Sequence, residues 1–77
     1  MTSFDHILTI RRKIGAGIKS ERERQGLSPH KLAIASGVHQ TNLNQIERGN
    51  TGATIDTLVK LSDALKIDIR ISHEDAK

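Results

Sequence analysis

The chain has 77 residues, with one Phe, no Trp, Tyr or Cys, and a formal net charge of +3. That length supports one small domain with a core of Ile, Leu, Val and Ala, for which oligomerisation would be an ordinary source of extra stability. The lack of cysteine excludes a disulfide framework and thiolate chemistry, and no apolar run approaches a membrane span or a signal-peptide pattern. The charge is unevenly placed. Residues 1–50 hold eight Lys and Arg against four Asp and Glu, whereas residues 51–77 hold four against five. The first part is therefore the basic one, which suits an anionic partner, although an imbalance this small is also ordinary.

Ser3 is placed to cap a helix starting near Phe4. Ile7, Ile10, Ile14 and Ile18 then recur at helical spacings, which predicts a stripe facing the core. Gly15 and Gly17 would each weaken that helix by about 1 kcal/mol relative to Ala. They mark either close packing or the true start of the helix. Arg11, Arg12 and Lys13 form a basic run, read more simply as a solvated face than as a phosphate contact. Lys19 to Arg24 is mixed in charge, and Gly26 signals a helix C-terminus.

The next stretch, Leu27 to Gly49, organises the chain. Ser28 is a good N-cap and Pro29 suits the first helical position, where a missing N–H costs nothing. Leu32, Ala33 and Ser36 share one face, and Gly37 stops the helix in a left-handed conformation. Val38 can tuck beneath the turn. A further helix runs from about Gln40 to Arg48, with Leu43 and Ile46 as its narrow apolar stripe. Its other residues are polar and largely uncharged. A helix that meets only water usually carries Lys and Glu, whereas Gln and Asn can pair with the N6 and N7 atoms of adenine in the DNA major groove. Composition alone leaves a solvated, amide-rich helix open as well.

After Gly49 comes a loop, Asn50 to Ala53. Thr54 begins the next helix, in which Ile55, Leu58, Leu61 and Leu65 form a predicted core stripe that Val59 widens. Lys60, Asp63 and Lys66 lie on other faces. The tail Ile67-Asp68-Ile69-Arg70-Ile71-Ser72 alternates strictly, a strand pattern. A lone strand seeks a partner. An antiparallel pairing with a second copy, centred on Ile69, would set Ile67 opposite Ile71 and Asp68 opposite Arg70. A frayed tail or a further helix is the alternative.

The combination of Leu27-Ser28, Leu32-Ala33, Gly37-Val38, Leu43 and Ile46-Glu47-Arg48-Gly49 resembles the helix-turn-helix of the lambda-repressor-like (Xre/Cro-CI) family, from about Ile14 to Ile67. The resemblance implies an all-α fold of four to five helices. With the tail included, the expected organisation is a helix-turn-helix domain over residues 1–66, a dimerising strand over 67–72 (Ile67, Asp68, Ile69, Arg70 and Ile71) and a disordered tail over 73–77. It further implies a sequence-specific DNA-binding transcriptional regulator, an autorepressor that reads a palindromic operator as a homodimer. Gln40, Thr41, Asn44 and Gln45 would read base edges. Arg22, Lys31, His39, Asn42, Arg48 and Asn50 would meet phosphates, and Arg22 would pair with Glu47. Many members carry Gln where this chain has Pro29, so one family contact is missing.

A strand-like tail is similar to that of HipB-type antitoxins, which implies a toxin partner such as a HipA-like kinase. Restriction-modification controllers and phage repressors are the alternatives. No paired-carboxylate or nucleophile–base constellation is present, and Gly15-Ala16-Gly17 follows a helical pattern rather than a strand, so no enzyme and no cofactor are expected. His30 and His39 lack further ligands at a suitable spacing, so no metal is expected either. The expected setting is the cytoplasm, in association with the nucleoid.

Overall fold

The computed structural model describes residues 3–67. Within them the chain forms four helices, α1 (Phe4–Arg24), α2 (Pro29–Ser36), α3 (Gln40–Arg48) and α4 (Ile55–Leu65). Local chemistry sets most of their ends. Ser3, Ser28 and Thr54 each accept a hydrogen bond from a first-turn backbone N–H, of His6, Lys31 and Thr57 respectively. Each cap satisfies a donor that has no partner inside its helix. Gly37 and Gly49 close α2 and α3 at φ values of 76° and 75°. Lys66 ends α4 in the same left-handed region, at φ 59°, without being glycine. No glycine signal marks this end in the sequence.

The core is aliphatic: Ile18, Leu32, Val38, Leu43, Ile46, Leu61 and Leu65 are buried, and Leu32 and Leu43 are wholly enclosed. Burying each such side chain contributes about 1.5–3 kcal/mol. Leu27, Ala33, Ala53, Leu58 and Ala64 pack around them. Helices α2 and α3 therefore meet over a shared apolar centre, with α1 laid across α3 and α4 closing over α2.

Two expected stripes are only half buried. Of the four isoleucines on α1, Ile18 alone is enclosed, while Ile7, Ile10 and Ile14 remain 37–42% exposed. Along the N-terminal half of α1 these isoleucines border an open depression whose other side is Ile46, the loop at Thr51 to Ala53 and Leu58, so they are covered only in part. On α4, Leu61 and Leu65 are buried, but Ile55 in the first turn is exposed and Leu58 is only partly covered. Helical period alone places these residues on one face. It does not say how far along the helix the neighbouring elements extend.

The two glycines inside α1 have different roles, and α1 is continuous through both. Gly15 is buried against the C-terminal turn of α3. A Cβ there would overlap the carbonyl oxygen of Ile46 and stand 2.8 Å from that of Glu47. At Gly17 a Cβ would meet nothing within 4 Å. The first is close packing of two backbones; the second is open space. The expected strand over 67–72 and tail over 73–77 lie outside the described residues, apart from Ile67.

Candidate nucleic-acid interface

Helix α3 has two opposed sides. Leu43 and Ile46 turn inward, 0% and 2% exposed. At 100° per residue, Gln40, Thr41, Asn44, Gln45 and Arg48 gather on the opposite face. Gln40, Thr41 and Arg48 are exposed there, and Asn44 and Gln45 are partly covered. Asn42 is exposed on the flank. All four residues assigned to base reading thus lie on one outward surface. Gln45 is steadied from the loop, because Asn50 Nδ2 donates to its Oε1 at 3.1 Å. Asn50 also closes α3 through its backbone, whose N–H donates to the carbonyl of Gln45 at 3.0 Å.

A buried ion pair holds this helix against α1. Arg22 Nε donates to Glu47 Oε2 at 2.8 Å, and its terminal nitrogen Nη2 to Oε1 at 3.0 Å. This is the two-pronged geometry that favours arginine over lysine. The side chains are only 8% and 7% exposed. A third bond runs from Arg22 Nη1 to the carbonyl of Leu27 at 2.8 Å, so the same guanidinium also fastens the turn before α2. The hydrogen bonds to Glu47 raise the Arg22 pKa above its ordinary value, overcoming the opposing effect of burial. Most of the Arg22 donors therefore point into the protein, and its role in the structure is first of all to position α3.

Beside that pair is a cleft lined by Lys19, Arg22, Asn44, Glu47 and Arg48. It places two further cations, Lys19 and Arg48, next to an assigned base-reading residue. Lys19 is absent from the residues expected from sequence. Its only signal there is its position three residues before Arg22 on α1, and the packing of α1 on α3 is what gives that spacing meaning. Arg12 and Arg11 lie farther along α1, against the loop after α3. A Cβ at Gly49 would stand 2.6 Å from Arg12 Cγ, and one at Gly52 would stand 3.2 Å from Arg11 Nε. The basic run on α1 is thus set beside the loop that carries Asn50.

The remaining assigned residues within the described segment lie at the starts of α2 and α3. His39 is the N-cap of α3, is exposed, and makes no side-chain capping bond. Lys31 is exposed in the first turn of α2. His30 and His39 border one shallow depression beside Gly37. Asp68, Ile69, Arg70 and Ile71 lie outside the described residues.

This arrangement of a capped helix, a left-handed glycine turn and a polar second helix locked to α1 is that of a helix-turn-helix protein. The Helix-turn-helix family model matches residues 18–71, and the chain belongs to that family. Among its relatives is the HTH-type transcriptional regulator SlrR of Bacillus subtilis, 39% identical over 57 residues, which are 73% of this chain and 38% of SlrR. Control protein C.SmaI of Serratia marcescens is 31% identical over 62 residues, 80% of this chain and 74% of that protein. The crystal structure of the restriction-modification controller protein C.AhdI from Aeromonas hydrophila is similar at a TM-score of 0.76 and 30% identity, covering 78% of this chain and 91% of C.AhdI. The chain therefore spans well under half of SlrR but most of each controller protein. The first fourteen residues of α1, Phe4 to Gly17, precede the matched segment.

Proposed function

We propose that this protein is a sequence-specific, DNA-binding transcriptional regulator that binds a palindromic operator as a homodimer. The observation that carries this reading is the outward face of α3, where Gln40, Thr41, Asn44 and Gln45 stand opposite a fully buried apolar stripe. Such side chains can donate and accept together, which is what paired contacts to base edges require. Lys31, His39, Asn42, Arg48 and Asn50 would contact flanking phosphates, with Lys19 added from the cleft and Arg22 acting from behind. Two copies would present two α3 helices to successive major grooves, with half-sites about one helical turn apart or a multiple of it. Pairing of residues 67–71 across the two-fold axis would join the copies.

Two finer readings follow from different features. The likeness to C.SmaI and C.AhdI, each largely covered by this chain, favours a controller-type regulator. The HipB-type antitoxin reading, with a kinase-like toxin as partner, depends on the alternating tail and on a surface that the described residues do not identify. Both make the protein a binding module, and the relatives reported above are regulators rather than enzymes.

The test is a titration against DNA from upstream of the protein's own gene, beside a scrambled duplex, across salt concentrations. Tight binding to the native duplex with selectivity that persists at high salt supports base readout and autoregulation. Equal affinity for both duplexes overturns it. Gln45→Ala should then cost on the order of 1–3 kcal/mol at one base position and relax selectivity there.

A further inference from the structure

An apolar groove between α1 and α4 takes no part in the proposed DNA recognition and lies on a different side of α1 from the cleft at Arg22. Two depressions run into one another and share Ile14 and Leu58. The upper one extends to Ile7 and Ile10, and the lower one passes Gly17 and ends at Ile67. Ile7, Ile10, Ile14 and Ile67 are each about 40% exposed along it. The lower half remains open, at about 340 Å³, with Ile67 already in place. A small domain rarely leaves a continuous apolar channel to water without an occupant.

We propose that this groove is the seat of a second copy of this chain, and that its lower half takes the partner's Ile71. The inference rests on the homodimer reading above. The described chain ends at Ile67, which is itself part of the groove wall, and ten residues follow it. Ile69 and Ile71 continue the alternation of Ile67, so an extended segment would turn all three to one side. In the antiparallel register centred on Ile69, the partner's Ile71 stands beside Ile67, within about 5 Å. The wall that Ile67 touches is then also within reach of the partner's Ile71. Two paired strands with isoleucines on one face need an apolar surface beneath them, and the groove supplies one.

Gly17 makes the inference testable without disturbing the fold. It lines the groove, and a side chain there meets no atom of its own protomer within 4 Å at Cβ. Gly17→Gln would therefore fill the groove with a polar chain while favouring α1 locally. The experiment is sedimentation equilibrium on the full chain, with helicity followed by circular dichroism, for the native protein, Gly17→Gln, Gly17→Ala and Ile71→Asp. The expected result is a native dimer whose dissociation constant rises about tenfold or more in Gly17→Gln and Ile71→Asp. Gly17→Ala should change it little, and helicity should persist in every variant. If Ile71→Asp weakens the dimer but Gly17→Gln does not, the tail joins the copies elsewhere: the homodimer stands and the groove inference falls. If the native chain is monomeric at micromolar concentration, the homodimer reading fails and the inference fails with it. A monomer that Ile71→Asp destabilises to heat would assign the groove to the chain's own tail instead.

Discussion

Gly15 and Gly17, two residues apart on α1, respond to opposite forces. At Gly15 the backbones of α1 and α3 approach so closely that a methyl group would overlap the Ile46 carbonyl. Gly15→Ala should therefore destabilise the protein by about 2–3 kcal/mol, because the neighbouring atoms are backbone and cannot swing aside. Gly17→Ala should stabilise it by about 1 kcal/mol, since only helix propensity changes. Urea unfolding of the two variants side by side checks both signs. The Arg22–Glu47 pair is a second point at which single atoms matter. Glu47→Ala leaves a guanidinium buried without its carboxylate and should cost about 3 kcal/mol, measured the same way. A loss well below 1 kcal/mol would mean that water reaches Arg22 freely.

Two helix ends are less stable than their sequence could make them. Lys66 closes α4 at φ 59°, a region that costs a side-chain-bearing residue about 1–2 kcal/mol. Lys66→Gly should recover roughly 1 kcal/mol and raise the melting temperature by a few degrees. At the other terminus, α3 begins at His39 with no side-chain cap. His39→Asp should add about 1 kcal/mol of stability through a capping bond and a favourable charge at the helix N-terminus. The same change places a negative charge where the proposed interface meets phosphate, so DNA affinity should fall as stability rises. Thermal melts and a binding titration on one preparation test the pair of outcomes. A variant that gains stability and keeps full affinity would remove His39 from the interface.

For the whole molecule, the cations belong to different elements and act together only through packing. Lys19 comes from α1 and Arg48 from the last turn of α3, yet both line one cleft beside Asn44. Lys19→Ala should weaken binding to all duplexes alike and reduce the salt slope by about one phosphate's worth, with base preference unchanged. A change in base preference instead would move Lys19 from phosphate contact to base readout. Among the described residues no helix is long and apolar enough to cross a membrane. Apolar surface remains along the α1–α4 groove and at Phe4, Ile34 and Ile55, which stand outside it.

Local chemistry made the helix-turn-helix legible from the sequence. Ser28, Pro29 and Gly37 act within a single turn of backbone, and the spacing of Leu43 and Ile46 orients α3 without reference to any other element. The polar face of that helix could be read for the same reason. Burial along α1 could not be, because Ile7, Ile10, Ile14 and Ile18 share a period whether or not anything lies opposite them. Only the tertiary structure shows that α3 passes under Gly15 and leaves the three earlier isoleucines open. It alone likewise separates Gly15 from Gly17 and brings Lys19 to Asn44. Period and capping are properties of one segment; coverage and proximity belong to pairs of segments, and are decided by where those segments cross.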